Sequence, residues 1–146
     1  MIEANFTPVF PDLIPKVWDR VEPMIDLACE HSQGRFSSGD VLNELATGAQ
    51  VLWILYSGDD ELLVCLTTSV CQYPGRRILS VPFCGGSAGS SHWISHRELI
   101  VEKLVDWAKQ NKCSGIEASG RPAWEKVLSP MGFKKIYTTV VLDVEE

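Results

Sequence analysis

The stretch from Arg76 to Val144 alternates between the two hydrophobic periods from which an α/β sheet is built, and this limits the fold more than any other feature. Arg76 to Phe83 has the pattern of a strand. Cys84 to Ser91 is rich in glycine and serine, and an amphipathic helix follows to about Asn111. Gly115 to Ser119 predicts a second strand, Pro122 to Ser129 a short helix and Lys134 to Leu142 a closing strand. A polar, glycine-rich connection between a buried strand and a long helix is a place where backbone N–H groups can gather around an anion. The same composition also suits a purely structural turn.

Two positions compete for the start of the long helix. Ser95 as N-cap puts Glu98 at the third helical position and sets Ile94 against Leu99, the pattern of a capping box with a hydrophobic staple. A start at Ser90 or Ser91 instead shortens the loop and places His92 and His96 one turn apart. From either start the apolar stripe is Ile100, Leu104, Trp107 and Ala108, widened by Val101 and Val105, as packing across a sheet requires.

Residues 1–10 suit an edge strand or a lead-in. From Asp12 to Cys29 apolar residues recur at helical intervals, and Pro23 predicts a kink or a division into two helices, the second opening near Glu22. Residues 31–37 form a loop, and Ser37 caps a second helix with Asp40 at its third position and Gly48 as its stop. Gln50 to Tyr56 and Glu61 to Val70 flank Ser57-Gly58-Asp59-Asp60 as a hairpin, and Tyr73-Pro74-Gly75 turns the chain into the Arg76 strand. Two helices therefore precede a three-strand meander.

One domain is the expectation for 146 residues, 45% of them apolar. The net charge of −6 argues against sequence-independent binding to nucleic acid or to an anionic membrane. Neither a spanning segment nor a secretory signal is indicated, and cytoplasmic residence is expected. The five cysteines, at 29, 65, 71, 84 and 113, are odd in number and scattered. They read as free thiols of a reducing compartment, without the close pairs of a structural zinc site.

The element order, the Gly85-Gly86-Ser87-Ala88-Gly89-Ser90-Ser91 turn, the helix through Trp107 and the Gly132-Phe133 pair resemble the GCN5-related N-acetyltransferase superfamily. The general texture is similar to small divergent members carried by tailed bacteriophages and prophages. The resemblance implies a three-layer α/β/α fold around one mixed, mostly antiparallel sheet, opened by a central splayed cleft near residues 81–86 and 116–119. It also implies acetyl-CoA as co-substrate, with pantetheine along the backbone of Val81 to Phe83 and pyrophosphate on Gly86, Ser87, Ala88, Gly89 and Ser90. The superfamily's loop pattern is Gln or Arg, two residues, Gly, any residue, then Gly or Ala. Gly86-Ser87-Ala88 fits its end, while Phe83 stands at its first place. Where many members carry an acidic Tyr four residues before the Gly-Phe glycine, this chain has Leu128.

The expected reaction is acetyl transfer to a primary amine on a small molecule or a protein, by direct attack. Glu117 is the candidate base and Tyr137 the fallback acid. Arg76, Arg77 and Arg97 are candidate cations near the loop, Arg121 a candidate phosphate contact and Trp93 a candidate lid or partner contact. Solvated surface roles are the competing reading for Glu117 and the arginines. No third ligand accompanies His92 and His96, so no metal is expected, and Cys84 lacks an evident base for covalent catalysis. The alternative function is an inactive scaffold of the same fold that binds a protein partner in a phage context. A homodimer through an exposed last strand is a further expectation.

Overall fold

The computed structural model describes residues 3–120 and 123–144, apart from the side chains of residues 88–90 and 123. Strand β1 (Ala4–Val9) leads through a one-turn helix (Pro11–Leu13) into α1 (Ile14–Glu30) and α2 (Ser38–Thr47). Strands β2 (Val51–Ser57), β3 (Leu62–Gln72), β4 (Arg77–Val81) and β5 (Cys84–Ser90) follow. Helix α3 (Ser91–Gln110), β6 (Gly115–Ala118) and α4 (Ala123–Leu128) complete the regular structure, with a one-turn helix (Ser129–Met131) after α4.

The sheet order is β1-β2-β3-β4-β6, with β5 paired to β3 beyond the end of β4. Every pairing is antiparallel except β4 with β6, which runs parallel from Ile78↔Gly115 to Val81↔Ala118. Parallel strands need a long crossover, and α3 supplies it. The expected mixed, mostly antiparallel sheet with helices on both faces is therefore the one observed.

Side chains alternate across the sheet and divide its core in two. On the α3 and α4 face, Trp53, Leu55, Val64, Leu66, Leu79 and Val81 meet Ile100, Leu104 and Ala108 of the predicted stripe. On the other face, Leu52, Cys65 and Phe83 meet Val21 and Ile25 of α1 and Val41 and Leu45 of α2. Trp53 stacks on Phe6 with ring centres 5.1 Å apart and meets Trp107 edge-on at 5.5 Å. Its indole N–H donates to Thr68 Oγ1 at 3.0 Å, so its one polar atom is satisfied inside the core.

Helix α2 forms as its sequence predicts. Asp40 N–H donates to Ser37 Oγ, Ser37 N–H donates to Asp40 Oδ2, and Gly48 closes the helix at φ 82°. Helix α1 differs from expectation, because it runs unbroken through Pro23. Pro23 lies on the exposed side, between buried Val21 and buried Met24. The carbonyl that loses its partner there can be served by water, while the buried face continues without interruption.

The Arg76 to Phe83 strand is divided. It leaves regular pairing at Pro82-Phe83, where proline supplies no N–H to the ladder. It resumes as β5 over the segment expected to be a glycine loop. Gly85 and Gly86 pair with Cys65 and Val64, and Thr67 N–H donates to the Phe83 carbonyl at 2.9 Å. Between Leu66↔Cys84 and Ser69↔Ser80 the β4–β5 side carries one residue more than β3, which makes a bulge. Gly85 serves close approach: a Cβ there would stand 2.6 Å from the Met24 carbonyl oxygen of α1. A larger residue would push that helix off the sheet.

The expected closing strand over Lys134 to Leu142 does not form. Gly132 turns the chain at φ 94°, and residues 133–144 carry no regular structure, with every side chain after Phe133 exposed. β-propensity alone does not make a strand without a paired edge and a covered face.

Candidate active site

The bulge decides where the sheet opens. Up to Val81↔Ala118, β4 and β6 are hydrogen-bonded neighbours; beyond that point β5 stays with β3, and β6 ends. The two backbones part between Pro82 and Ser119, within the region where the sequence places the cleft. Helix α3 begins directly after β5 at Ser91, which settles its start. Ser95 is an interior residue whose Oγ donates to the Ser91 carbonyl at 3.0 Å, and Ile94 is exposed, so the Ser95 capping box and its staple are not used. The first amides of α3 have no carbonyl one turn earlier within the helix, and Trp93 of that first turn lines the opening.

The opening is lined by apolar side chains. Val81, Pro82, Cys84, Ala118, Trp124 and Leu128 are among the residues around a cavity of about 50 Å³. Trp93, expected as an exposed lid, is buried and meets Trp124 edge-on at 5.5 Å. Its indole N–H points to Cys84 Sγ at 2.7 Å. Arg97, instead of facing an anion, donates to the Val127 carbonyl at 3.3 Å and ties α3 to α4. Leu128, at the place of the superfamily's acidic tyrosine, is buried beneath this pair of helices.

Cys84 is unsuited to nucleophilic chemistry. Desolvation pushes its thiol up and the Cys65 thiol adds to the shift, against the Trp93 hydrogen bond, so the group stays protonated. Cys65 is pushed up to about 12 by burial, opposed by a backbone hydrogen bond from Gly85. All five cysteines are free.

Glu117 projects from the opposite face to Ile116 and Ala118, which line the cavity. It sits beside Ser80 in the β4–β6 register, and its Oε1 accepts a hydrogen bond from the Tyr73 hydroxyl at 2.8 Å. Tyr73 stands at the β3–β4 turn, and no local sequence signal joins it to Glu117, 44 residues away. The parallel β4–β6 register brings them together. The hydrogen bond to Glu117, followed by its charge, pushes the Tyr73 phenol up to about 12, and Tyr137 adds a smaller contribution. Tyr137 itself is 68% exposed, on the unpaired tail.

The remaining candidates are dispersed. Arg76 donates to Ser114 and Arg77 to the Asn111 carbonyl, at the far end of β4 from the opening. His96 Nδ1 lies 3.0 Å from the His92 carbonyl, and the described residues contain no metal-binding cluster. Val81 borders the cavity, whereas Phe83 turns to the other face and meets Phe36 edge-on at 5.2 Å. Gly86 and Ser87 lie on β5, together with the backbone of residues 88–90, whose side chains are outside the description. Arg121 lies outside the described residues. Among those residues no helix is long and apolar enough to cross a membrane.

No family model and no curated protein matches the sequence. Solved structures do match the fold. A probable acetyltransferase superposes with a TM-score of 0.72 at 12% identity, over 97% of this chain and 99% of that one. A predicted acetyltransferase from Clostridium acetobutylicum, solved with acetyl-CoA, gives 0.65 at 15% identity over 97% and 96%. A ribosomal-protein-alanine N-acetyltransferase from Brucella melitensis gives 0.69 at 11% identity over 97% and 100%. With the mixed sheet, the bulge and the splay beside α3, these likenesses identify the fold as that of the GCN5-related N-acetyltransferases.

Proposed function

We propose that this chain is an acetyl-CoA-dependent N-acetyltransferase acting on a primary amine. The observation that carries the reading is the parting of β5 from β6 at the Pro82-Phe83 bulge, next to the start of α3. Backbone groups released from pairing there suit an extended amide-bearing arm, and the first amides of α3 suit a phosphate. Acetyl-CoA supplies an acetyl thioester, which a neutral amine attacks directly with loss of the CoA thiol.

The chain's own contributions follow from its geometry. Glu117, on the face of β6 opposite the apolar cavity, is the base assigned to accept the proton that an incoming ammonium must lose, with the amine approaching from that face. The Tyr73 hydroxyl holds the carboxylate in place. The negative net charge favours a cationic acceptor. The apolar cavity wall excludes water from the thioester. At about 50 Å³, against about 10–15 Å³ needed for each water, the cavity has room for a few water molecules and not for a pantetheine arm, so Trp93 or Trp124 rotates to admit the arm.

That filling favours a second reading, in which the fold is retained as a protein-binding scaffold. Titration calorimetry with acetyl-CoA and with CoA separates the two, using wild type and Trp124→Ala. Saturable one-to-one binding, tighter in Trp124→Ala, is the expected result. Heat from neither protein at ~1 mM ligand would remove the enzyme reading.

A further inference from the structure

A second cavity lies under the other end of α3. Its volume is about 280 Å³, against about 50 Å³ at the splay, and Trp107 and Asn111 border it as Trp93 borders the first. About 21 Å of helix separates Trp93 from Trp107, and Ile100 and Leu104 pack on the sheet between them. The second cavity is therefore no part of the cleft.

It occupies a notch in the sheet. β2 begins at Val51, opposite Thr68, whereas β3 runs on to Gln72 with only β4 beside it among the described residues. The chain that could have prolonged β2 turns away before Val51, where Gln50 N–H donates to the Glu44 carbonyl of α2 at 3.2 Å. Successive residues of an antiparallel strand turn their N–H and C=O to opposite edges. Tyr73 N–H donates to the Arg76 carbonyl on the β4 side at 2.8 Å, so Cys71 and Ser69 face β4 as well. Val70, which borders the cavity, thus presents both its N–H and its C=O to the vacant edge.

Two side chains add to this polar edge. Thr68, 1% exposed, accepts the Trp53 indole N–H at 3.0 Å, and its own hydroxyl proton has no acceptor among the described residues. Asn111 Nδ2 donates to the Trp107 carbonyl at 2.9 Å, which leaves Oδ1 to accept. Among the described residues no charged side chain lines the cavity, so an ionic ligand would lose its water without gaining a counter-charge.

We propose that the notch binds a small, flat, uncharged molecule with a lactam edge, an N–H beside a C=O on one ring, as in a nucleobase. The edge pairs with the Val70 C=O and N–H as a neighbouring strand would, and the ring fills the space bordered by Trp107 and Leu79. A further acceptor on the ring takes the free Thr68 proton. The volume, just below the roughly 300–1,000 Å³ of drug-sized sites, suits one or two rings. This site stands whether or not the cleft transfers acetyl groups.

Amide correlation spectra of the isotope-labelled full chain, titrated with uracil and with hypoxanthine, give the test. The Val70 amide and the Trp53 and Trp107 indole resonances should move together and saturate with a Kd of about 1 mM. The N,N′-dimethyl derivative of uracil keeps the ring and loses the N–H, and should bind about tenfold more weakly. Val70→Pro removes an N–H that no neighbouring strand uses, and Ala49→Phe fills the notch from an exposed position. Each should abolish the indole shifts while the far-ultraviolet circular dichroism is kept. Neither base moving these resonances at about 5 mM would overturn the proposal. So would equal binding of the dimethyl derivative, or binding as tight in folded Val70→Pro or Ala49→Phe as in wild type.

Discussion

β3 and β6 are both strands of one sheet, yet they are held very differently. β3 pairs along both edges, with β2 on one side and β4 and β5 on the other, and its residues 63–68 are all buried. β6 pairs along one edge, is four residues long and buries none of its side chains fully. Both are rich in apolar or β-branched residues around their polar ones. Neighbours on both edges and both faces make the difference, and the molecule is therefore rigid at its centre and lightly held at the margin that carries Glu117.

The largest effect that tests this contrast is expected at Leu66, fully buried on the α3 face. Leu66→Ala should cost about 2–5 kcal/mol in urea unfolding. Ile136→Ala on the tail should fall within about 0.5 kcal/mol in dilute monomer. Equal costs would abolish the distinction between centre and margin. Next comes Gly85→Ala, which places a methyl group against the Met24 carbonyl and should cost about 1–3 kcal/mol. Because α1 would have to shift, the near-ultraviolet circular dichroism of neighbouring Trp18 should change with it.

A smaller, graded effect is expected from alkaline pH. The native chain holds the Cys65 proton up to about 12, while the unfolded chain releases it near 9.0. Above pH 9 the unfolded state thus binds fewer protons, and Cys65 alone should lower stability by about 1.4 kcal/mol per pH unit until its native thiol ionises, with the buried Cys84 thiol adding to the fall. Urea midpoints across this window test the sign, and Cys65→Ala should reduce the slope. A midpoint that does not fall would mean that the centre is less dry than its packing implies.

The contrast also explains what the sequence made legible. α2 could be read in full because Ser37, Asp40 and Gly48 act within their own helix, and the α3 stripe because one face meets one sheet. Pro23 misled, since its exposed position is decided by how α1 lies on the sheet. Gly85 misled for the same reason: its constraint is Met24, distant in sequence, while the glycine run reads locally as a loop. The Ser95 capping box was a valid local signal overruled by β5, which delivers the chain to Ser91 already able to start a helix. The sequence places Glu117 on its strand but does not show its hydrogen bond with Tyr73, because only the β4–β6 register brings the two near. The tail's composition announces a strand and contains no information about whose edge it would join.

The parallel register of β4 with β6 has a consequence in time. The pairings among β2, β3 and β4 close by short turns, whereas Ile78 meets Gly115 only after all of α3 has been laid across the sheet, as Val9 meets Leu52 only after α1 and α2. Loop closure of that length delays both contacts, so β1 and β6 join the meander late. Of the two, the four-residue β6 has less to lose on leaving. The seam on which the cleft opens is therefore late to be stitched and early to come undone, and a bulky ligand can part it while the meander beneath stays folded.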